Sequence, residues 1–172
     1  MRRKITIGIL CILASLLQTT LLSYIEVASI RPNFPLILTV SFALMCGRLT
    51  GTTVGFISGI LLDLFGGGVL GYYALLYMLT GYAAGSAYRI FYDDDIKTPL
   101  LLVTAGDLFY SFSMYTLTFL LRGRIHFWFY LRRIIIPELL YTIIATLVLY
   151  HFLYRINQSL NKSDKRSLDY FA

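Results

Sequence analysis

Apolar residues fall into six long runs that are separated by short polar stretches. The runs cover about 5–24, 35–48, 51–65, 69–88, 99–121 and 134–154. A helix needs about 20 apolar residues to cross a bilayer; the first run and the last three approach that length, whereas the second and third are shorter. Because no run alternates apolar and polar residues, we expect helices and not the strands of a barrel.

The pattern therefore predicts an all-α integral membrane protein with about six transmembrane helices. We expect one membrane domain over 1–155, followed by a polar cytoplasmic tail over 156–172. The second and third runs are expected to form a tight helical hairpin that turns at 47–50. A cleaved signal peptide is the alternative for the first run. Its apolar part is long and no clear A-x-A-like site ends it, so a retained helix is favoured.

Composition and charge agree with this class of protein. The chain of 172 residues is 58% hydrophobic and 14% charged, and its mean hydropathy is +0.71. A net charge of +6 would suggest nucleic acid in a soluble protein, but in membrane proteins basic residues report topology. With a cytoplasmic N-terminus, the inner connections hold ten Lys and Arg and the outer ones five. This count favours cytoplasmic N- and C-termini.

The connection over 122–133, RGRIHFWFYLRR, is the exception to that charge rule, because it places four arginines on the outer side. Its arginines alternate with aromatic residues that include Phe127 and Trp128. Such a segment can bind single-stranded nucleic acid, but aromatic residues and arginines at a membrane interface give the same pattern. We favour the interface, and a short interfacial helix or a partner-docking surface both stay open.

The sequence offers little support for catalysis or metal binding. Cys11 and Cys46 lie in apolar runs with no CxxC spacing, and Asp93–Asp95 supply too few ligands from a single loop. A nucleophile paired with a base is not found, and neither is a phosphate-binding loop. We therefore predict no enzymatic activity, no cofactor and no bound metal.

Small residues at a spacing of four mark one face in each of two neighbouring runs. They are Gly51, Gly55 and Gly59, which continue to Asp63, and Gly81 with Gly85. Glycines at this spacing let two membrane helices approach closely, so the third and fourth helices should share a seam. For Asp63 we favour a structural role, bonded to free amides of the Gly66–Gly68 turn, over binding of an ion or substrate.

Asp107 is the acid that lies deepest in an apolar run, and Ser111 follows it one helical turn later. An acid inside a membrane helix is a functional candidate by default. A hydrogen bond to another helix and a place in the wall of an interior pocket both stay open for it. Glu138 follows Pro137 and is expected in the first turn of the last helix.

The ordered motifs over 31–85 resemble the MreD family of bacterial rod-shape-determining membrane proteins. They are Arg31-Pro32-Asn33 before PLILTVSFAL, and then GTTVGFISGILLDLFGGGVLGYYAL. The resemblance implies a non-catalytic component of the cell-elongation complex in the bacterial cytoplasmic membrane. MreC would be its main partner, with MreB, RodA and a class B penicillin-binding protein in the same complex. It also implies a fold similar to the six-helix S components of energy-coupling-factor transporters.

Two functions follow as expectations. The first is a membrane scaffold that binds MreC and helps regulate or position peptidoglycan synthesis. The alternative is the small-molecule-binding subunit of a membrane transporter, but the first helix has only Ala14 where S components often carry A-x-x-x-A. Candidate partner-binding residues are Arg31, Pro32, Asn33, Phe127 and Trp128, and nucleic acid is not expected as a partner.

Overall fold

The computed structural model describes residues 2–21, 32–66, 70–87, 97–116 and 131–169, and all regular structure in these ranges is helical. The helices are α1 (Arg2–Leu16), α2 (Phe34–Cys46), α3 (Arg48–Gly66), α4 (Tyr72–Ala87), α5 (Lys97–Tyr115) and α6 (Ile136–Asp169). Two π-helical segments, Leu17–Leu21 and Leu131–Ile135, follow α1 and precede α6. The all-α prediction is therefore confirmed for the described part of the chain.

The boundaries of α2 follow from two local signals. Asn33 caps its first turn, with Pro35 at the start of the helix, where the missing amide of proline leaves no donor unpaired. Gly47 alone separates α2 from α3, and its φ of 87° is a conformation that glycine adopts without steric cost. The Gly47 amide donates to the Ala43 carbonyl, and the Gly51 amide donates to the Gly47 carbonyl.

The last helix is longer than its apolar run. The polar tail predicted from residue 156 is helical as far as Asp169, because α6 continues to that residue. Its polar extension is built from residues with good helix propensity, such as Lys, Arg, Leu and Gln. A polar composition therefore marks where the apolar run ends in this chain, and not where the helix ends.

The central element of the bundle is α2, which contacts each of the other five α-helices. Its residues from Pro35 to Ala43 are all buried. Leu36, Ile37 and Val40 form a cluster with side chains from α4 and α5. A helix that is apolar around its whole circumference is expected to be surrounded by protein. The start of α2 is consequently held inside the bundle, which positions Asn33.

The backbones of α3 and α4 approach each other closely along most of their length. A Cβ atom added at Gly55 would overlap the backbone of Tyr77, and one at Gly59 would overlap the backbone of Ala74. The same holds for Gly51 against Gly81, and for Gly85 against Arg48. The glycines therefore lie at the α3–α4 interface, which is the position that their four-residue spacing predicts.

We expect Gly55→Ala to lower the free energy of unfolding by about 1–3 kcal/mol, the usual effect of overpacking. The new methyl group has no room beside the Tyr77 backbone. Gly8→Ala in α1 is the matched control, because a Cβ there would meet nothing within 4 Å. Alanine favours helix, so the control should keep or gain stability, by up to about 1 kcal/mol. Reversible unfolding in mixed detergent micelles measures both, and equal losses would contradict the close packing.

The bundle carries apolar side chains on its outside and polar side chains inside. Val148 in α6 and Ile5 in α1 are 70% and 62% exposed, and similar residues cover the outer faces of α3, α4 and α5. By contrast, Asp63, Asp107 and Thr142 are buried. This arrangement suits a lipid solvent, which accepts apolar surface and requires polar groups to be paired within the protein.

Two helical stretches of the described chain are long and apolar enough to cross a membrane, judged by length and composition. They are Arg48–Phe65 and Leu131–Gln158. Ile5–Thr20 and Phe34–Cys46 are apolar helical stretches that are shorter than this. The described residues thus contain two candidate spans. Six crossings and the cytoplasmic side of both termini stay predictions.

Candidate functional site

Asn33 connects four helices through hydrogen bonds. Its Oδ1 accepts from the Leu36 amide at 3.3 Å, which caps α2, and from the Tyr77 hydroxyl of α4 at 2.8 Å. Since Oδ1 serves both donors, Nδ2 faces α5 and donates to Asp107 Oδ1 at 3.4 Å. The backbone amide of Asn33 donates to Thr142 Oγ1 of α6 at 3.4 Å. One buried amide residue therefore holds α2, α4, α5 and α6 together.

Asp107 lies fully buried in the middle of α5. Asn33 and Thr142 contact its carboxyl group from α2 and α6. The structure thus places Asp107 where it bonds to other helices, one of the two roles left open for it. Its second oxygen, Oδ2, is buried and has no hydrogen-bond partner in the described part of the chain.

Ser111 and Glu138 extend this polar cluster toward the start of α6. Glu138 lies in the first turn of that helix, as its place after Pro137 predicts. The Ser111 hydroxyl donates to Glu138 Oε2 at 3.4 Å. Glu138 also lies close enough to Asp107 for the two carboxyl groups to repel each other when both are ionised. The sequence indicates each acid separately, whereas the fold brings both into one polar cluster through Ser111.

Three tyrosines form an aromatic wall next to the cluster. The rings of Tyr77 and Tyr110 stack with their centroids 5.5 Å apart, and Tyr73 stacks on both at 6.4 and 6.1 Å. The hydrogen bond from the Tyr77 hydroxyl to Asn33 joins these stacked rings to the polar cluster. Sequence reasoning missed these tyrosines and Thr142. The four-residue spacing of Tyr73 and Tyr77 was the one available signal.

Asp63 caps the start of α4. Its carboxylate accepts from the backbone amides of Gly71, Tyr73 and Ala74 at 2.9, 3.0 and 3.2 Å. The first amides of a helix have no partner within it, and the positive end of the helix dipole attracts a negative charge. The described partners of Asp63 thus lie at the start of α4. A bond to the Gly66–Gly68 turn stays a prediction, because Gly67 and Gly68 lie outside the described residues.

The remaining candidate residues are placed as follows. Pro32 and Asn33 are buried, so their side chains face the interior of the bundle. Arg31, Phe127 and Trp128 lie outside the described residues, as do Asp93–Asp95 and most of the 122–133 connection. Partner binding by the five candidate residues stays a prediction, and for Asn33 the structure shows a role within the chain.

The arrangement of helices, with apolar outer faces and a polar interior, is that of a helical membrane protein. The chain matches the family model described as "rod shape-determining protein MreD" over residues 1–160. It therefore belongs to the MreD family, a family of bacterial membrane proteins that determine rod shape and are not known as enzymes. No curated protein and no solved structure matches the chain. The similarity to transporter S components accordingly stays a prediction.

Proposed function

We propose that this chain is a non-catalytic membrane component of the rod complex that binds MreC and helps regulate or position peptidoglycan synthesis. The observation that carries the proposal is the family match, which extends over residues 1–160 and so includes α1 to α5, most of α6, the glycine seam and the buried polar cluster. Asn33, Tyr77 and Asp107, which are polar side chains of the described interior, form hydrogen bonds between helices. In this proposal the protein acts through its surface, by holding partners in the bilayer.

The proposal includes a location and further partners. The chain resides in the bacterial cytoplasmic membrane with both termini in the cytoplasm, and MreB, RodA and a class B penicillin-binding protein belong to the same complex. The outer faces of α1 and α6 supply apolar surface along several helical turns, with Ile5, Ile9, Ile144 and Val148 exposed. Such faces contact lipid or the membrane helix of a partner, because packing drives association of helices in a bilayer.

Affinity purification of the tagged chain from its own cells tests the proposal. MreC is expected among the proteins enriched over a control in which an unrelated multi-pass membrane protein carries the same tag. RodA and the penicillin-binding protein are expected at lower recovery, because in this proposal they are held partly through MreC. A purification that recovers the chain in a folded state but enriches none of these proteins would contradict the proposal.

A further inference from the structure

The Asp107 carboxyl group has one oxygen that the described protein leaves without a partner. Asp107 is 0% exposed, and its Oδ2 is buried with no hydrogen-bond donor among the described residues. An unpaired buried acceptor costs about 1–3 kcal/mol, and more when it is charged. Such a group in a native protein calls for a bound water, proton or ion. A ligand bound to Asp107 Oδ2 would therefore stabilise the folded protein.

Among the described residues, the groups that bond to Asp107 carry no positive charge. The contacts to its carboxyl group come from the Asn33 amide and from Thr142, and neither carries a positive charge. Glu138 is the second carboxyl group of the cluster, and when it is ionised it adds to the negative potential at Asp107. Two ionised acids in a medium of low dielectric constant attract a cation strongly, because water screens their charge poorly there.

The side chains of the polar cluster define the class of cation. Asp107 and Glu138 offer carboxyl oxygens, and Ser111, which bonds to Glu138, offers a hydroxyl oxygen. Oxygen ligands suit hard cations. The described residues contain no group of three or more His, Cys, Asp or Glu that could hold a metal ion. Ca²⁺ takes about 6–8 oxygen ligands and Mg²⁺ keeps several waters, so a buried set of two carboxyl groups and one hydroxyl suits the lower charge of a monovalent ion better.

We propose that Asp107, Glu138 and Ser111 form an interior site for a small monovalent cation of the sodium type, with Asp107 Oδ2 as its main anionic ligand. A cation there joins α5 to the start of α6. Through the Asn33 bonds it also supports the contacts of both helices with α2 and α4. The site adds ion binding to the proposed scaffold role and does not depend on which protein the scaffold binds.

Thermal unfolding of the purified chain in detergent tests this site. Sodium chloride is compared with choline chloride at equal ionic strength, so that screening by salt is the same in both. Because a ligand that binds only the folded state raises stability, sodium should raise the melting temperature of the wild type by about 2–4 °C over choline. The increment should vanish in Asp107→Asn, which keeps the size of the side chain but removes its charge.

Two serines on α5 supply a matched pair of further variants. The Ser111 hydroxyl donates to Glu138, whereas the exposed Ser113 hydroxyl donates to the Phe109 carbonyl of its own helix. The sodium increment should shrink in Ser111→Ala and stay at its wild-type size in Ser113→Ala.

Three results would overturn the proposal. The first is equal melting of the wild type in sodium and choline. The second is a full sodium increment in Asp107→Asn, which would place the ion elsewhere. The third, which applies if Asp107→Asn does not fold, is a full sodium increment in Ser111→Ala. The affinity purification described above is unaffected by any of these results, so the two proposals fail independently.

Discussion

Asp63→Ala should lower the free energy of unfolding by about 3 kcal/mol or more, the largest loss expected from a single side chain in this protein. The substitution removes one carboxylate but leaves three backbone amides, those of Gly71, Tyr73 and Ala74, without their acceptor. Asp63 is 2% exposed, so little water is available to replace it. The measurement is reversible unfolding in mixed detergent micelles.

The control for this prediction is Asp63→Asn. Asparagine keeps one acceptor oxygen and about the same volume, so it should retain part of the cap and lose less stability than alanine. Hydrogen exchange gives a local readout, because the amides of the first turn of α4 should exchange faster in Asp63→Ala while those of α6 change little. An ordinary exposed cap contributes about 1 kcal/mol. A smaller loss of unfolding free energy in Asp63→Ala would contradict the role of Asp63 as a buried cap of α4.

Asn33→Ala should lower the free energy of unfolding by about 2–4 kcal/mol. It removes the cap of α2 and leaves the Tyr77 hydroxyl and Asp107 Oδ1 without their partner in the interior of the bundle. Asn33→Asp should not restore stability. Aspartate can still cap α2, but it donates nothing to Asp107 and adds a third acid to the cluster. Both variants are measured by the same unfolding method.

A pair of tyrosines on α4 separates this network from a general effect of mutation. Tyr77→Phe deletes a buried hydroxyl that donates to Asn33 and should cost about 1 kcal/mol or more. Tyr82→Phe deletes a hydroxyl at an exposed position, where it accepts from Arg48, and should cost less than about 0.5 kcal/mol. Equal losses in the two variants would show that the Asn33 network adds nothing to stability.

Local features of the sequence predicted much of the helical organisation. Apolar run length placed the helices approximately, since each span needs a fixed number of residues to satisfy its backbone. Gly47 marked the turn between α2 and α3 because it tolerates a positive φ. The four-residue spacing of Gly51, Gly55 and Gly59 predicted the close seam with α4, because residues four apart share one helix face.

The interior cluster could not be predicted in the same way. Asn33 contacts residues that are 44, 74 and 109 positions away in the chain, and no local pattern shows which helices meet around it. Its place before a proline-containing helix start is the local signal of a cap, a role that the partner-binding prediction for the R-P-N motif does not include. The segment after residue 155 is a second feature that the local sequence does not predict. Its polarity does not reveal that α6 continues to Asp169.

Crosslinking in living cells tests most directly the central claim that the chain binds MreC in the bilayer. A photoreactive amino acid is placed at Leu70 and Leu140, which are 72% and 57% exposed near the predicted outer end of the bundle, and at Val54, which is 1% exposed, as the control. An adduct with MreC is expected from at least one exposed position, and none is expected from Val54. The claim is contradicted if Leu70, Leu140 and further exposed positions on α1, α3, α4 and α5 all give no MreC adduct in variants that still support rod shape.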